Sequence, residues 1–220
     1  VMRALYLIFA LLFLLSIAEQ GIAQKPNDHK VIYQDMDNEE RSKGDSTVLG
    51  ISGKAKYYPN KGTDLHRMAN SSNLESLWET QDFTIELWVQ TIAINSDYQV
   101  IVSNKDWNSG EIKDFTTNHE FGYSRTSGTN VGWAILYQPD GSWAWNIGDG
   151  KYRLDYRPTS PRQQINDGEW HQIAFSVNRM RKEARMYFDG KNVAIYNLGE
   201  LTNLNSKLPV TLANDGISKD

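Results

Sequence analysis

Asp167-Gly168-Glu169-Trp170-His171-Gln172-Ile173-Ala174-Phe175-Ser176-Val177-Asn178-Arg179 is followed, after a polar bridge, by Ala184-Arg185-Met186-Tyr187-Phe188-Asp189-Gly190-Lys191-Asn192-Val193-Ala194. The fold is decided in this stretch. From Trp170 to Val177 the residues alternate between two sets. His171, Ile173, Phe175 and Val177 are mostly apolar, while Trp170, Gln172, Ala174 and Ser176 are mixed, as in a strand with one covered face. Asp167-Gly168 is a turn pair. Asp189-Gly190 lies between residues 185–188 and 192–196, and an Asp-Gly pair flanked by apolar alternation is a strong hairpin signal because both residues tolerate positive φ. The region reads strand, turn, strand, tight hairpin, strand.

The same texture extends upstream. Phe83, Ile85, Leu87 and Val89 share one side of a strand over 83–91, with Thr84, Glu86 and Trp88 on the other. Residues 98–104 form a continuous apolar run suited to a central strand. Runs at 119–125, 131–138, 142–148 and 151–156 are split by Ser127-Gly128, Pro139-Asp140-Gly141 and Gly148-Asp149-Gly150, the pattern of a β-meander. Residues 208–213 predict one more strand, and 48–51 with 55–58 a first strand pair. Leu74, Leu77 and Trp78 at helical spacing predict a short helix within 65–80. Many short alternating runs with one short helix indicate an all-β sandwich.

The motif D-G-x-W-H-x-I-A followed by x-Y-x-D-G-K resembles the laminin-G-like, concanavalin A-like jelly-roll domains. D-F-T-I-E-L-W-V at 82–89 is similar to the strand that opens their sandwich. The resemblance covers residues 47–220 and implies a two-sheet antiparallel jelly roll. In that family a turn similar to Asn214-Asp215-Gly216 precedes a closing strand. Residues 216–220 are too short and polar to be one, so the expectation is a sandwich lacking its closing C-terminal strand. Trp88 and Trp170 match the family's motifs and are expected to be packing residues, and His171 a hydrogen-bonded structural histidine.

The chain has 220 residues, a formal net charge of −4 and no cysteine. That length suits one domain with small appendages, and the acidic balance argues against nucleic acid as a partner. Arg3, the apolar run 4–17 and the small residues of Gly21-Ile22-Ala23 read as a signal peptide over 1–23, with Gln24 the first mature residue. The run falls short of the ~20 residues that span a bilayer. The expected localisation is therefore secreted, periplasmic or cell-envelope, with no membrane span after cleavage. An exported chain without cysteine points to a bacterial source. Residues 24–46 read as a polar linker with at most an edge strand.

Catalytic motifs fail on inspection. Asp64-Leu65-His66, Asn118-His119-Glu120 and Gly148-Asp149 superficially match metallophosphoesterase motifs, but their order is wrong and Asp149 has no partner Asp three residues on. Glu86 stands alone on its strand, so the facing carboxylates of a glycosidase are missing. What remains is an aromatic and polar set: Asp106, Trp107 and Asn108 in the long loop from Lys105, Trp143 on a strand, and Tyr152. Such rings stack on pyranose faces while short polar groups bond hydroxyls. Trp107, in a loop, is expected to be exposed, whereas Trp133, Trp143 and Trp145 divide between core and site. The family resemblance also implies calcium held by oxygen donors, with the loop acids Asp64, Asp106 and Asp215 as candidates. The function expected is a non-catalytic exported recognition module for carbohydrate or a cell-surface glycan. One alternative is an accessory domain of a larger secreted hydrolase, a metallophosphoesterase or sulfatase, with its catalytic domain beyond residue 220. The other is a glycoside hydrolase of the same fold.

Overall fold

A computed structural model describes residues 46–49, 54–57, 66–67, 75–92, 96, 98–107, 109 and 129–213. The chain divides into two units, Val1–Tyr33 and Gln34–Asp220, and every described residue belongs to the second. The segment read as a signal peptide, the strand expected at 119–125 and the candidates Asp64, Asn108 and Asp215 lie outside the described residues.

Twelve strands and two short helices are described: β1 (Ser46–Leu49), β2 (Lys54–Tyr57), β3 (His66–Arg67), α1 (Glu75–Thr80), β4 (Phe83–Val89), β5 (Gln99–Ser103), β6 (Gly132–Tyr137) and β7 (Trp143–Gly148). After these come β8 (Arg153–Tyr156), α2 (Ser160–Gln163), β9 (His171–Asn178), β10 (Glu183–Phe188), β11 (Lys191–Asn197) and β12 (Thr211–Leu212). All the pairings are antiparallel. β1 and β2 pair with each other, one sheet runs β11-β10-β9-β4, and the other runs β3-β12-β5-β6-β7-β8. The sandwich expected from the alternation is present.

The tight hairpin joins β10 to β11. Asp189 (φ 48°) and Gly190 (φ 75°) both adopt the left-handed conformation that a two-residue turn between twisted strands demands. A glycine is needed for a different reason at Gly132, the first residue of β6. Its φ is 110°, and a Cβ there would lie 2.8 Å from both the Asn104 side chain and the Lys105 backbone. The absence of a side chain lets β6 run close beside the segment that carries Lys105.

The core forms where the inward sets of the two sheets meet. Phe175 of β9 lies 5.5 Å from the Trp133 ring and 5.6 Å from that of Trp145, which come from β6 and β7. Phe83 approaches Phe175 edge-on at 5.8 Å, and Trp78 of α1 meets Phe83 at 5.0 Å and Trp133 at 5.4 Å. Each such pair adds about 0.5–1.5 kcal/mol beyond the area it buries. Arg179 ties the flank together by donating to the carbonyls of Trp78 and Thr202. The loop after β11 then lays Leu198, Leu201 and Leu204 against the core.

Two expected packing residues are corrected. Trp88 sits on the outward side of β4 and is 44% exposed, because the alternation that buries Phe83 turns Trp88 away from the core. Trp170 lies just before β9 and is only half-buried. The strand expected over 208–213 shrinks to β12, which is held between β3 and β5 rather than at a sheet edge. The closing strand expected to be missing concerns residues outside the described ones.

Candidate functional site

Every residue of β6 and β7 is buried, so both faces of the six-stranded sheet are covered there. The register puts Trp133, Ile135, Ile147 and Trp145 on the side of the four-stranded sheet. Ala134, Leu136, Ala144 and Asn146 face the opposite way. On this outer side Trp107 packs with Val100, Ala134, Leu136 and Ala144, and Tyr98 packs against the group. Trp107 is only 5% exposed. The expectation of an exposed loop ring is therefore corrected: small alanines at alternate positions of β6 and β7 leave a hollow that the indole fills. Trp143 is fully buried on the core side, where its Nε1 donates to Gln163 Oε1 at 2.8 Å, and Tyr156 meets its ring at 5.4 Å. It is not accessible to a ligand.

A chain of polar groups adjoins the Trp107 cluster. Lys105 is 1% exposed and donates from Nζ to Asn146 Oδ1. Asn146 Nδ2 donates to Asp155 Oδ1, and Asp155 Oδ2 pairs with Arg153 Nε at 2.9 Å. The antiparallel register Asn146↔Asp155 and Gly148↔Arg153 brings these residues of β7 and β8 to the same outer side. The Lys105 ammonium also lies 5.7 Å from the centre of the Trp107 ring. Burial lowers its pKa to about 7, the nearby Asp155 carboxylate opposes that shift and Arg153 adds to it. Lys105 and Asn146 were missed from sequence. A lysine in K-D-W-N reads as solvated loop, and no local pattern distinguishes one buried by tertiary contacts.

Tyr152 precedes β8 immediately and is 40% exposed, with Lys151 Nζ 5.0 Å from its ring centre. Asp149 shapes this turn by accepting from the backbone N–H groups of Lys151, Tyr152 and Thr202. Asp106 is half-buried, and its carbonyl accepts from the Ser109 N–H and hydroxyl. The structure thus places Tyr152 at the exposed end of β8, while Trp107 lines the covered side of the sheet and Asp106 precedes it half-buried. No group of three His, Cys, Asp or Glu side chains able to hold a metal occurs among the described residues. Of the calcium candidates only Asp106 falls among them, and Asp64 and Asp215 lie outside.

His171 occupies a second polar cluster, at the end of the four-stranded sheet. Its Nδ1 lies 3.0 Å from Asp189 Oδ2 and its Nε2 3.1 Å from Asp167 Oδ1, while the ring stacks on Phe188 at 5.1 Å. One imidazole thus joins the turn before β9 to the β10–β11 hairpin, a physical reason for the spacing of the two Asp-Gly pairs. Burial works against its charged form, but hydrogen bonds and charge from Asp189 and Asp167 outweigh it and raise the pKa above 6.5. A raised folded pKa contributes stability that is complete below the unfolded value and is lost as pH rises through the folded one. The stability difference between the native protein and His171→Gln is therefore expected to be largest near pH 5.5 and to shrink above neutrality. Urea titrations across pH 5–9 check this, and a difference independent of pH would count against the clamp.

Residues 63–220 match the Laminin_G_3 family, described as the concanavalin A-like lectin/glucanases superfamily. The chain belongs to that superfamily. Its sandwich of antiparallel sheets is accordingly a concanavalin A-like jelly roll. Among solved structures, a similar one is domain 4 of AbnA, a GH43 extracellular arabinanase from Geobacillus stearothermophilus, in complex with arabinotriose. It is 16% identical over 81% of this chain and 69% of that one, with a TM-score of 0.49. The CBM40 of the Ruminococcus gnavus IT-sialidase bound to alpha2,3 sialyllactose is 12% identical over 69% and 76%, TM-score 0.46. Domains LG4-5 of the mouse laminin alpha1 chain are 14% identical over 64% and 30%, TM-score 0.43. No curated protein sequence matches significantly. No helix among the described residues is long and apolar enough to cross a membrane.

Proposed function

We propose that this jelly roll is a non-catalytic, exported module that recognises carbohydrate at the exposed end of β8. The observation that carries the reading is the exposed Tyr152 ring, followed directly in the chain by Arg153, whose ion pair with Asp155 stays partly open to solvent. A ring offers an apolar face to a pyranose, and ionised groups near it suit the donors and acceptors of sugar hydroxyls. Against catalysis, the acids near this end are engaged in holding the fold. Asp149 caps backbone N–H groups, and Asp155 pairs with Arg153. A glycosidase needs one carboxyl held protonated and a second across the substrate. Export rests on the apolar segment 4–17 behind Arg3.

The test is binding to an oligosaccharide array, with affinities by calorimetry. Tyr152→Ala is expected to weaken the strongest ligand at least tenfold, about 1.4 kcal/mol. Its melting temperature should stay near that of the native protein, because an exposed ring supports little of the core. A native protein that retains no saccharide, or a variant that binds as well as the native one, would reject the reading.

A further inference from the structure

β4 ends the four-stranded sheet, and among the described residues it pairs with β9 alone. Gln172 of β9 turns its backbone toward β10: its N–H donates to the Asp189 carboxylate and its C=O accepts from the Asp189 N–H. Backbone groups alternate in direction along an antiparallel strand, so His171, Ile173, Phe175 and Val177 are the residues that bond to β4. Their partners are Val89, Leu87, Ile85 and Phe83. The N–H and C=O groups of Thr84, Glu86 and Trp88 therefore point away from the sheet, in a row ~14 Å long.

The devices that usually shield such an edge are missing from it. β4 has no proline, no lysine and no break in register from Phe83 to Val89. At the other end of this sheet, by contrast, the β10–β11 register shifts between Met186 and Tyr187. The core-facing row is also unfinished along β4. Ile85 and Leu87 are half-buried, whereas Phe175 and Ile173, their neighbours on β9, are 0% exposed.

We propose that the free edge of β4 binds an extended peptide segment of another protein as a fifth, antiparallel strand, with a basic residue opposite Glu86.

Main-chain bonds to Thr84, Glu86 and Trp88 supply the affinity, and alternate side chains supply the specificity. Apolar residues opposite Ile85 and Leu87 extend the cover of the core. The one charge on β4 is the exposed Glu86, whose carboxylate accepts from Gln172 Nε2, and it favours a cation across the ladder. A second copy of this chain fits less well. The two-fold register that uses all three residues sets Thr84 opposite Trp88 and Glu86 opposite itself, and like charges directly opposed are destabilising. A single strand edge also offers much less than the ~800 Å² per partner that a stable protein interface buries.

The whole chain is titrated with a capped heptapeptide that alternates valine with threonine and carries lysine at its centre. A twin peptide carries glutamate there. Fluorescence anisotropy of the labelled peptide reports binding, and sedimentation reports self-association. The native protein should bind the lysine peptide at least tenfold more tightly than the glutamate one, and Glu86→Lys should reverse that preference. Thr84→Pro removes one outward N–H without breaking a ladder bond. It should weaken the lysine peptide at least tenfold and leave the melting temperature near that of the native protein. No binding of the lysine peptide, equal affinity for the two peptides, or binding unchanged in Thr84→Pro overturns the proposal. Self-association of the native protein that disappears in Thr84→Pro also overturns it, by identifying a second copy as the occupant. If Thr84→Pro fails to fold, the charge reversal in Glu86→Lys decides alone.

Discussion

Trp107→Ala is expected to cost about 3–5 kcal/mol, as much as Trp133→Ala, although one residue lies beyond a strand end and the other inside the core. Both rings are buried, Trp107 at 5% exposure and Trp133 at 0%. Truncating Trp133 removes its contacts with Trp78 and Phe175, which link α1, β6 and β9 across the sandwich. Truncating Trp107 opens a hole over Ala134, Leu136 and Ala144, and the two alanines are too short to fill it. Chemical denaturation with far-UV detection measures both. A Trp107→Ala cost below about 1 kcal/mol would show that the outer covering of the six-stranded sheet contributes little to the fold.

Lys105→Met should act in the opposite direction and make the protein more stable. Lowering a lysine from 10.5 to about 7 corresponds to roughly 5 kcal/mol of disfavoured charge at 1.36 kcal/mol per pH unit. Methionine keeps much of the volume and carries no charge, but it leaves Asn146 Oδ1 without the ammonium donor, at about 1–3 kcal/mol. A net gain of about 2–4 kcal/mol at pH 7 follows from these two effects. Between pH 7 and 10.5 the unfolded chain binds a proton at this site and the folded one does not, so stability rises with pH across that window. Below pH 7 both states are protonated and this residue adds no slope. In the variant the rise between pH 7 and 10.5 should be absent. A destabilised variant with the native slope would mean that the amine is hydrated and that its bond to Asn146 outweighs its burial.

Alternation is a local property, and it placed most of the strands. Phe83, Ile85, Leu87 and Val89 in β4 and Ile173, Phe175 and Val177 in β9 all turn inward as their spacing requires, and these two strands pair directly. The Asp189-Gly190 turn was equally legible, since its backbone angles follow from the two residues themselves. Trp88 faces outward because the alternation that turns Ile85 and Leu87 inward turns it away from the core, whatever motif it belongs to.

The sequence by itself determined the class of fold, most strand positions and the tight hairpin, because a period of two and a turn pair are written in neighbouring residues. Tertiary structure alone decided which aromatic rings are accessible. Trp107 is buried by alanines from β6 and β7 more than twenty-five residues away, Trp143 by Gln163 and Tyr156, and Tyr152 remains outside. It also decided that Lys105 would share a covered surface with Asn146 and Asp155, since the register of four strands, β5 to β8, sets that proximity. Burial and charge depend on what the rest of the chain lays over a residue, and no window of sequence contains that information.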